Sequence, residues 1–301
     1  MWTRLGTITN TWSLRLEKGE RFEALATAFG AQGFRDIEVR DGDYLRQSEF
    51  GELLQKITAA MDRYSDDEWK ALGAARLQAQ TGVPPLRASD RALFGRMGEI
   101  LAQTRELALT YAISHPWVSQ PADMAADSRR IEHAMKLAFL LAPQGARLRL
   151  VDLEATGTSD PQTAVANLAR YQGLLPGYPV VLAVENAHQP ASFTLQLARQ
   201  GKTLLAYDEA NSYRSDGTTT EAPSAFWSAV AMTDLTSVHF KQKTPDGVLP
   251  RVADGFVAFA PMVRRLQAQK FSGDLLLETA PSENPLEDAL QSRAYLQKLV
   301  H

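Results

Sequence analysis

Apolar residues gather along this chain in short runs, and longer amphipathic stretches separate them. The runs at Leu5 to Thr9, Phe34 to Val39, Leu107 to Ile113, Leu148 to Val151, Val180 to Val184, Thr203 to Tyr207, Ser237 to Phe240 and Leu275 to Leu277 are each short enough for one buried strand. Between them the period is helical. Arg21 to Ala31 sets Phe22, Leu25, Ala26 and Phe29 on one face, and Val257 to Gln269 does the same with Val257, Met262, Val263 and Leu266. Asp160 followed by Pro161 reads as an N-cap with proline at the first helical position, and Ser282 precedes a second acidic start at Glu283 to Asp288. Gly33, Gly201 and Gly273 each fall just ahead of a strand, where a left-handed residue closes a helix. This rhythm of strand, helix, glycine and strand belongs to parallel crossovers rather than hairpins. Eight such strands predict a (β/α)8 barrel, an α/β fold.

One interval breaks the rhythm. From Gln47 to Arg105, Glu49 to Arg63 and Asp66 to Gln80 read as helices, Gly82-Val83-Pro84-Pro85 interrupts the chain, and Ser89 to Thr104 reads as helix again. The expectation is one barrel domain over 1–301 with a helical insertion at about 47–105. Such an insertion serves as a lid on the barrel mouth, as an oligomer contact or as a solvated elaboration.

Composition narrows the partners. The 301 residues are 45% hydrophobic and 22% charged with a formal net charge of -3, which gives no basic field for nucleic acid. There is no cysteine, so disulfides and thiolate metal sites are excluded. Met1 leads into Trp2-Thr3-Arg4-Leu5 without a signal-type stretch, and no run approaches the ~18 apolar residues of a membrane span. The expectation is a cytoplasmic protein that acts on small molecules, with neither nucleic acid nor membrane as partner.

Four of the later runs end on a polar residue that can bind a metal: Glu185 closes Val180 to Val184, Asp208 closes Thr203 to Tyr207, His239 lies within Ser237 to Phe240, and Glu278 closes Leu275 to Leu277. In a parallel barrel the residue where a strand meets its loop is the first that faces a substrate. A single polar strand end is ordinarily structural. Four on consecutive strands point to a shared divalent cation, because carboxylates suit hard cations and an imidazole draws the set toward transition metals.

These motifs together resemble the xylose isomerase-like TIM barrel superfamily, in particular its sugar phosphate isomerase and epimerase branch. Leu182-Ala183-Val184-Glu185-Asn186 is similar to its Leu-x-x-Glu-Asn pattern, Asp208-Glu209-Ala210-Asn211 to its Asp-x-(Gly/Ala)-(Asn/His) pattern, and His239-Phe240-Lys241 to its His-x-Lys-Asp pattern. Ala253 to Val257, the helix after it and Gly273 to Glu278 resemble its Gly-x-Gly segment and closing Gly-x-x-x-x-Glu. The resemblance implies that Glu185, Asp208, His239 and Glu278 ligate one divalent metal, Mn2+ or Mg2+ first, with Zn2+, Co2+ or Fe2+ as alternatives. It implies that Glu185 and Glu278 are the catalytic pair that removes and returns a proton, through an enediolate, on a carbohydrate or polyol-derived substrate. It also implies self-association, as dimers or tetramers.

Further candidates surround these four. His188 lies in the loop after Glu185, Asn186 and Asn211 stand beside ligand carboxylates, and Lys241 shares the strand face of His239. Glu38 and Arg40 share a face of the second strand, where they form a buried ion pair or meet substrate, and His115 with Trp117 ends the third. His188, Lys241, Asn211, His115 and Glu38 are the expected substrate-binding set. His133 and His301 read as solvated surface groups. Gln242 departs from the pattern by replacing its usual aspartate, which leaves Asp246 or Asp254 to supply one, and strand four ends without an evident substrate clamp. The leading expectation is a metal-dependent sugar isomerase or epimerase. Alternatives are an inosose or dehydroshikimate type dehydratase, an endonuclease IV type nuclease, which five histidines and net acidity disfavour, and a barrel that binds a sugar without turnover.

Overall fold

Eight parallel strands carry the architecture of the computed structural model, which describes residues 5–75, 87–114, 124–142, 145–151, 160–174, 176–187 and 189–299. They are β1 (Leu5–Ile8), β2 (Asp36–Arg40), β3 (Ala108–Ser114), β4 (Ala146–Val151), β5 (Val180–Glu185), β6 (Leu204–Asp208), β7 (Leu235–Phe240) and β8 (Asp274–Leu277). Each pairs with its sequence neighbours, and β1 pairs with β8, so the sheet closes into the expected barrel. All eight predicted runs match strands to within about two residues. Single-residue alternation then divides each strand between two faces. Leu148, Leu150, Leu182, Val184, Leu205, Tyr207, Val238, Phe240, Leu275 and Leu277 join the continuous core beneath the helices. The alternate residues, Arg147, Arg149, Ala183, Glu185, Ala206, Asp208, Ser237, His239, Asp274 and Leu276, face the barrel axis.

The axis is more polar than barrel strands ordinarily provide. Arg147 of β4 pairs with Asp274 of β8 near the bottom, and Arg149 bridges Glu38 of β2 and Glu185 of β5 one layer higher. An apolar interior is the usual filling of such a barrel, and here ion pairs replace much of it.

The helices begin and end for local reasons. Trp12, which ends a 3-10 turn just before α1 (Ser13–Glu17), packs with Phe22 and Phe29 on the apolar face of α2 (Phe22–Ala31), with ring centroids of Trp12 and Phe29 at 4.9 Å. Gly33 has φ +84, as expected of the residue that closes α2. Gly201 and Gly273 do not serve that way. The left-handed residues near those helix ends are Lys202 (φ 56) and Lys270 (φ 51), while a Cβ on Gly201 would stand 2.7 Å from Leu168 Cβ and one on Gly273 would stand 2.4 Å from the Thr236 carbonyl. Close approach of neighbouring elements, rather than φ, requires glycine there.

The long interval after β2 folds into α3 (Asp43–Arg46), α4 (Glu49–Met61), α5 (Asp66–Ala75) and, after a single 3-10 turn at Ala88–Asp90, α6 (Arg91–Gln103). The expected break at Gly82 to Pro85 and the stretch 76–80 lie outside the described residues. These helices pack on the outer wall. Phe50 stacks on Phe22 of α2 at 4.0 Å, Trp69 donates to the Lys136 carbonyl of α7 (Met124–Leu141), and buried Asp90 accepts from Arg63 and from Tyr64 at 2.8 Å. His133 of α7 is largely covered rather than solvated, with Nε2 3.1 Å from Asp62 Oδ1. His301 lies outside the described residues.

The remaining helices complete the ring: α8 (Pro161–Gln172), α9 (Ala191–Gln200), α10 (Pro223–Ala229), α11 (Phe259–Ala268) and α12 (Pro285–Lys298). Asp160 caps α8 as expected, accepting from Gln162 N and Thr163 N, with Pro161 at the first position. Ser282 does not cap α12; Asn284 holds the cap position, and Ser282 Oγ donates instead to Asp288. Among the described residues no helix is long and apolar enough to cross a membrane.

Gly51 gives a test of this packing. A Cβ there would stand 1.6 Å from the Leu45 carbonyl at the junction where Ser48 caps α4, so backbone must move to admit it. Gly51→Ala is expected to destabilise the fold by about 2–4 kcal/mol. Chemical denaturation measures it, and a midpoint equal to that of the parent would contradict the packing described.

Candidate metal centre

At the carboxyl ends of β5 to β8 the strand register brings four side chains to one point. Asp208 lies directly across the β6–β7 ladder from His239, Glu185 ends β5 beside them, and Glu278 follows β8 on the other side of β7. One ligand atom from each of Glu185, Asp208, His239 and Glu278 falls within 4.8 Å of all the others, and all four residues are buried. His239 Nδ1 is 2.8 Å from Glu278 Oε2 and 3.2 Å from Glu185 Oε1. Asp208 Oδ2 and the His239 Nδ1–Glu278 Oε2 couple are held by ion-pair contacts, the first with Lys241 and the second with each other, whose angles fall short of a well-formed hydrogen bond. Buried polar atoms without hydrogen-bond partners are rare, and oxygens grouped with one imidazole nitrogen in this way suit a shared divalent cation.

Cationic side chains contact all three carboxylates. Arg149 contacts Glu185 Oε2, Arg40 donates to Glu278 Oε1 at 2.8 Å, and Lys241 contacts Asp208 Oδ2 while lying 3.3 Å from Glu278 Oε1. Burial opposes the charge on Glu185, but Arg149 prevails and keeps its carboxyl below the ordinary range. Burial likewise opposes ionisation of Glu278, and Lys241, His239 and Arg40 overcome it by a wide margin. For Asp208 burial wins over Lys241 and pushes the carboxyl up. Burial favours a neutral His239, but the adjoining carboxylates of Glu185 and Glu278 outweigh it and push the ring up to about 10.

The loops fix the backbone beneath these groups. Asn186 is fully buried and clamps the backbone of Asp208, donating to its carbonyl at 2.7 Å and accepting from its N–H at 2.8 Å. Asp208 Oδ1 accepts from Ala210 N at 2.9 Å, which starts a 3-10 turn and turns Asn211 back toward the site. Asn211 donates to the Asn186 carbonyl at 2.8 Å and reaches Glu185 Oε1 at 3.4 Å.

No protein-family model matches this sequence, and no curated protein matches it. Solved structures do. A xylose isomerase domain containing protein from Salmonella typhimurium superposes with a TM-score of 0.65 at 15% identity, over 99% of this chain and 98% of that one. This chain has the xylose isomerase-like barrel fold. The IolI protein with a bound zinc atom matches this barrel with a TM-score of 0.63 at 13% identity, over 99% and 98% of the two chains. A D-allulose 3-epimerase from Methylomonas sp. matches with a TM-score of 0.61 at 14% identity, over 98% and 97%.

The other sequence candidates divide. Lys241 and Asn211 reach the carboxylates of Asp208 and Glu185, whereas Glu38 lies beneath them, 2% exposed, as the ion-pair partner of Arg149 rather than of Arg40. His188, His115 and Trp117 lie outside the described residues. Arg149 went unread, although Arg147-Leu148-Arg149-Leu150 carries its signal: two arginines alternating with leucines put both guanidinium groups on one strand face.

Gln242 proves structural in this xylose isomerase-like barrel. Its amide donates to the carbonyls of Ala253 and Val257 and accepts from the N–H groups of Lys243 and Val257, so three of its four bonds tie the start of the loop after β7 to the segment before the next helix. Of the two aspartates that could have replaced the missing one, Asp254 accepts from Tyr295 Oη at 2.9 Å on the surface. Restoring the aspartate is therefore expected to harm the fold. Gln242→Asp loses both donors in a fully buried place and should cost about 2–4 kcal/mol, read as a lowered thermal midpoint. A midpoint at or above the parental value would contradict this role.

Proposed function

We propose that the chain is a divalent-metal-dependent isomerase or epimerase acting on a sugar or sugar derivative by proton transfer. The observation that carries the reading is the convergence of Glu185, Asp208, His239 and Glu278, each with one metal-binding atom within 4.8 Å of the others and all four buried. Those four would hold the ion, and Mn2+ or Mg2+ suits a set of three carboxylates and one imidazole best. When bound, such a cation polarises a carbonyl and adjacent hydroxyl, making the carbon between them more acidic.

The protein's own groups supply the rest. Glu185 and Glu278 stand on opposite sides of His239, which fits them to exchange a proton with the two faces of a substrate carbon. Arg149 keeps Glu185 ionised in a buried setting, and Lys241, with His239 and Arg40, does the same for Glu278, the condition for one of the pair to act as base. Lys241 and Asn211 lie beside the same carboxylates and would orient substrate hydroxyls. The D-allulose 3-epimerase and the zinc-bound IolI protein support sugar chemistry and a metal, respectively, on this fold.

A panel of ketoses and keto sugars incubated with Mn(II) in D2O tests the reaction. The expected product is an isomer of the substrate with deuterium on one carbon; loss of water would show a dehydratase, and no turnover with no bound metal would show a binding barrel. Glu185→Gln and Glu278→Gln are each expected to lower kcat by at least about 10^3-fold while the far-ultraviolet spectrum stays native. Either variant turning over at the parental rate would remove that residue from the pair. Asp208→Asn should shift the activity titration toward higher Mn(II) by about 10-fold or more, and an unmoved titration would contradict its part in the centre.

A further inference from the structure

Beneath the metal centre, the barrel axis holds two ion pairs of the same kind at different depths. In the lower, Arg147 pairs with Asp274. In the upper, Arg149 contacts Glu38 through Nε and Nη2 and Glu185 through Nη1, and all three side chains are at most 3% exposed. Only the upper pair touches a residue of the centre. Its planar fork engages Oε1 of Glu38 on one edge and Oε2 of Glu185 on the other, which leaves Glu185 Oε1 as the oxygen turned toward His239 and Asn211.

We propose that Arg149, anchored by Glu38, is a positioning couple that reserves one oxygen of Glu185 for the metal and holds it at a fixed orientation. The inference rests on reading the four side chains as a metal centre. A glutamate on a flexible stem loses rotamer freedom when it is fixed, and Arg149 fixes it before any ligand arrives. Glu38 is needed in turn, because a guanidinium held only by Glu185 would be free to rotate away from it. Neither residue reaches substrate: both lie below the carboxylates, closed off from the barrel mouth.

Charge must be separated from position in the test. Removing Arg149 alone takes a positive charge from beside the site and would draw a cation in, so the informative variant is Glu38→Gln with Arg149→Met, which leaves net charge unchanged. The control is Asp274→Asn with Arg147→Met, which removes the lower pair. Mn(II) dissociation constants, measured by titrating the free Mn(II) paramagnetic resonance signal, are expected to rise 10- to 100-fold for the upper double variant and to stay within 2-fold for the lower. A conservative Arg149→Lys, which keeps the charge and engages only one glutamate, should weaken Mn(II) binding by about 10-fold and covers the case in which the double variant fails to fold. An upper variant or a lysine variant that folds and binds Mn(II) like the parent overturns the proposal, as does equal weakening by both double variants, the mark of a merely structural role. A parent protein that binds no Mn(II) would sink the metal centre itself, a separate and recognisable outcome.

Discussion

Charge balance inside the barrel is the constraint on which this structure depends. Glu38, Glu185, Asp208 and Glu278 are buried in one connected group, and Arg40, Arg149, Lys241 and His239 face them. Several kcal/mol of desolvation attend each buried ion, so none of these side chains is tolerable without the others. Hydrophobic residues of similar volume would ordinarily fill such an axis at lower cost. Their replacement by ions gathers carboxylates and one imidazole at the carboxyl ends of β5 to β8.

Sequence periodicity recovered the fold because parallel barrel strands are covered by helices on one side and read as short apolar runs. It also recovered the four converging residues, since each ends or nearly ends such a run and strand ends on one rim of a barrel must be neighbours. The deeper layer is also written in the sequence, but less openly. Arg147 and Arg149 lie inside a run framed by leucines, and reading the run as apolar hid the fact that its alternate face is cationic. Glu38 posed a different difficulty: its pairing with Arg149 crosses 111 residues of sequence and depends on the barrel closing. Helix ends were less legible still. Gly201 and Gly273 have the local signature of helix closure, yet their selection comes from Leu168 and Thr236, contacts that no local pattern encodes.

Gln242 shows why a motif mismatch needs the structure before it is given meaning. Read along the chain, the missing aspartate weakens a catalytic pattern. In the fold, its replacement is a fully buried amide with four bonds to one loop, a task that requires donors as well as acceptors and that no carboxylate can perform. The glutamine thus serves the loop without touching Glu185, Asp208, His239 or Glu278.

Depth separates the cations by task. Arg149 is 3% exposed and is fully committed to two glutamates, so it can only set geometry. Arg40 and Lys241 stand nearer the strand ends, with side chains 23% and 9% exposed, and each contacts a carboxylate oxygen. Charges that are partly reachable can exchange a carboxylate contact for a substrate oxygen at little desolvation cost, whereas a fully buried one cannot. The barrel thus holds one fully committed cation, Arg149, below its carboxylates and a partly exposed one, Arg40, beside them.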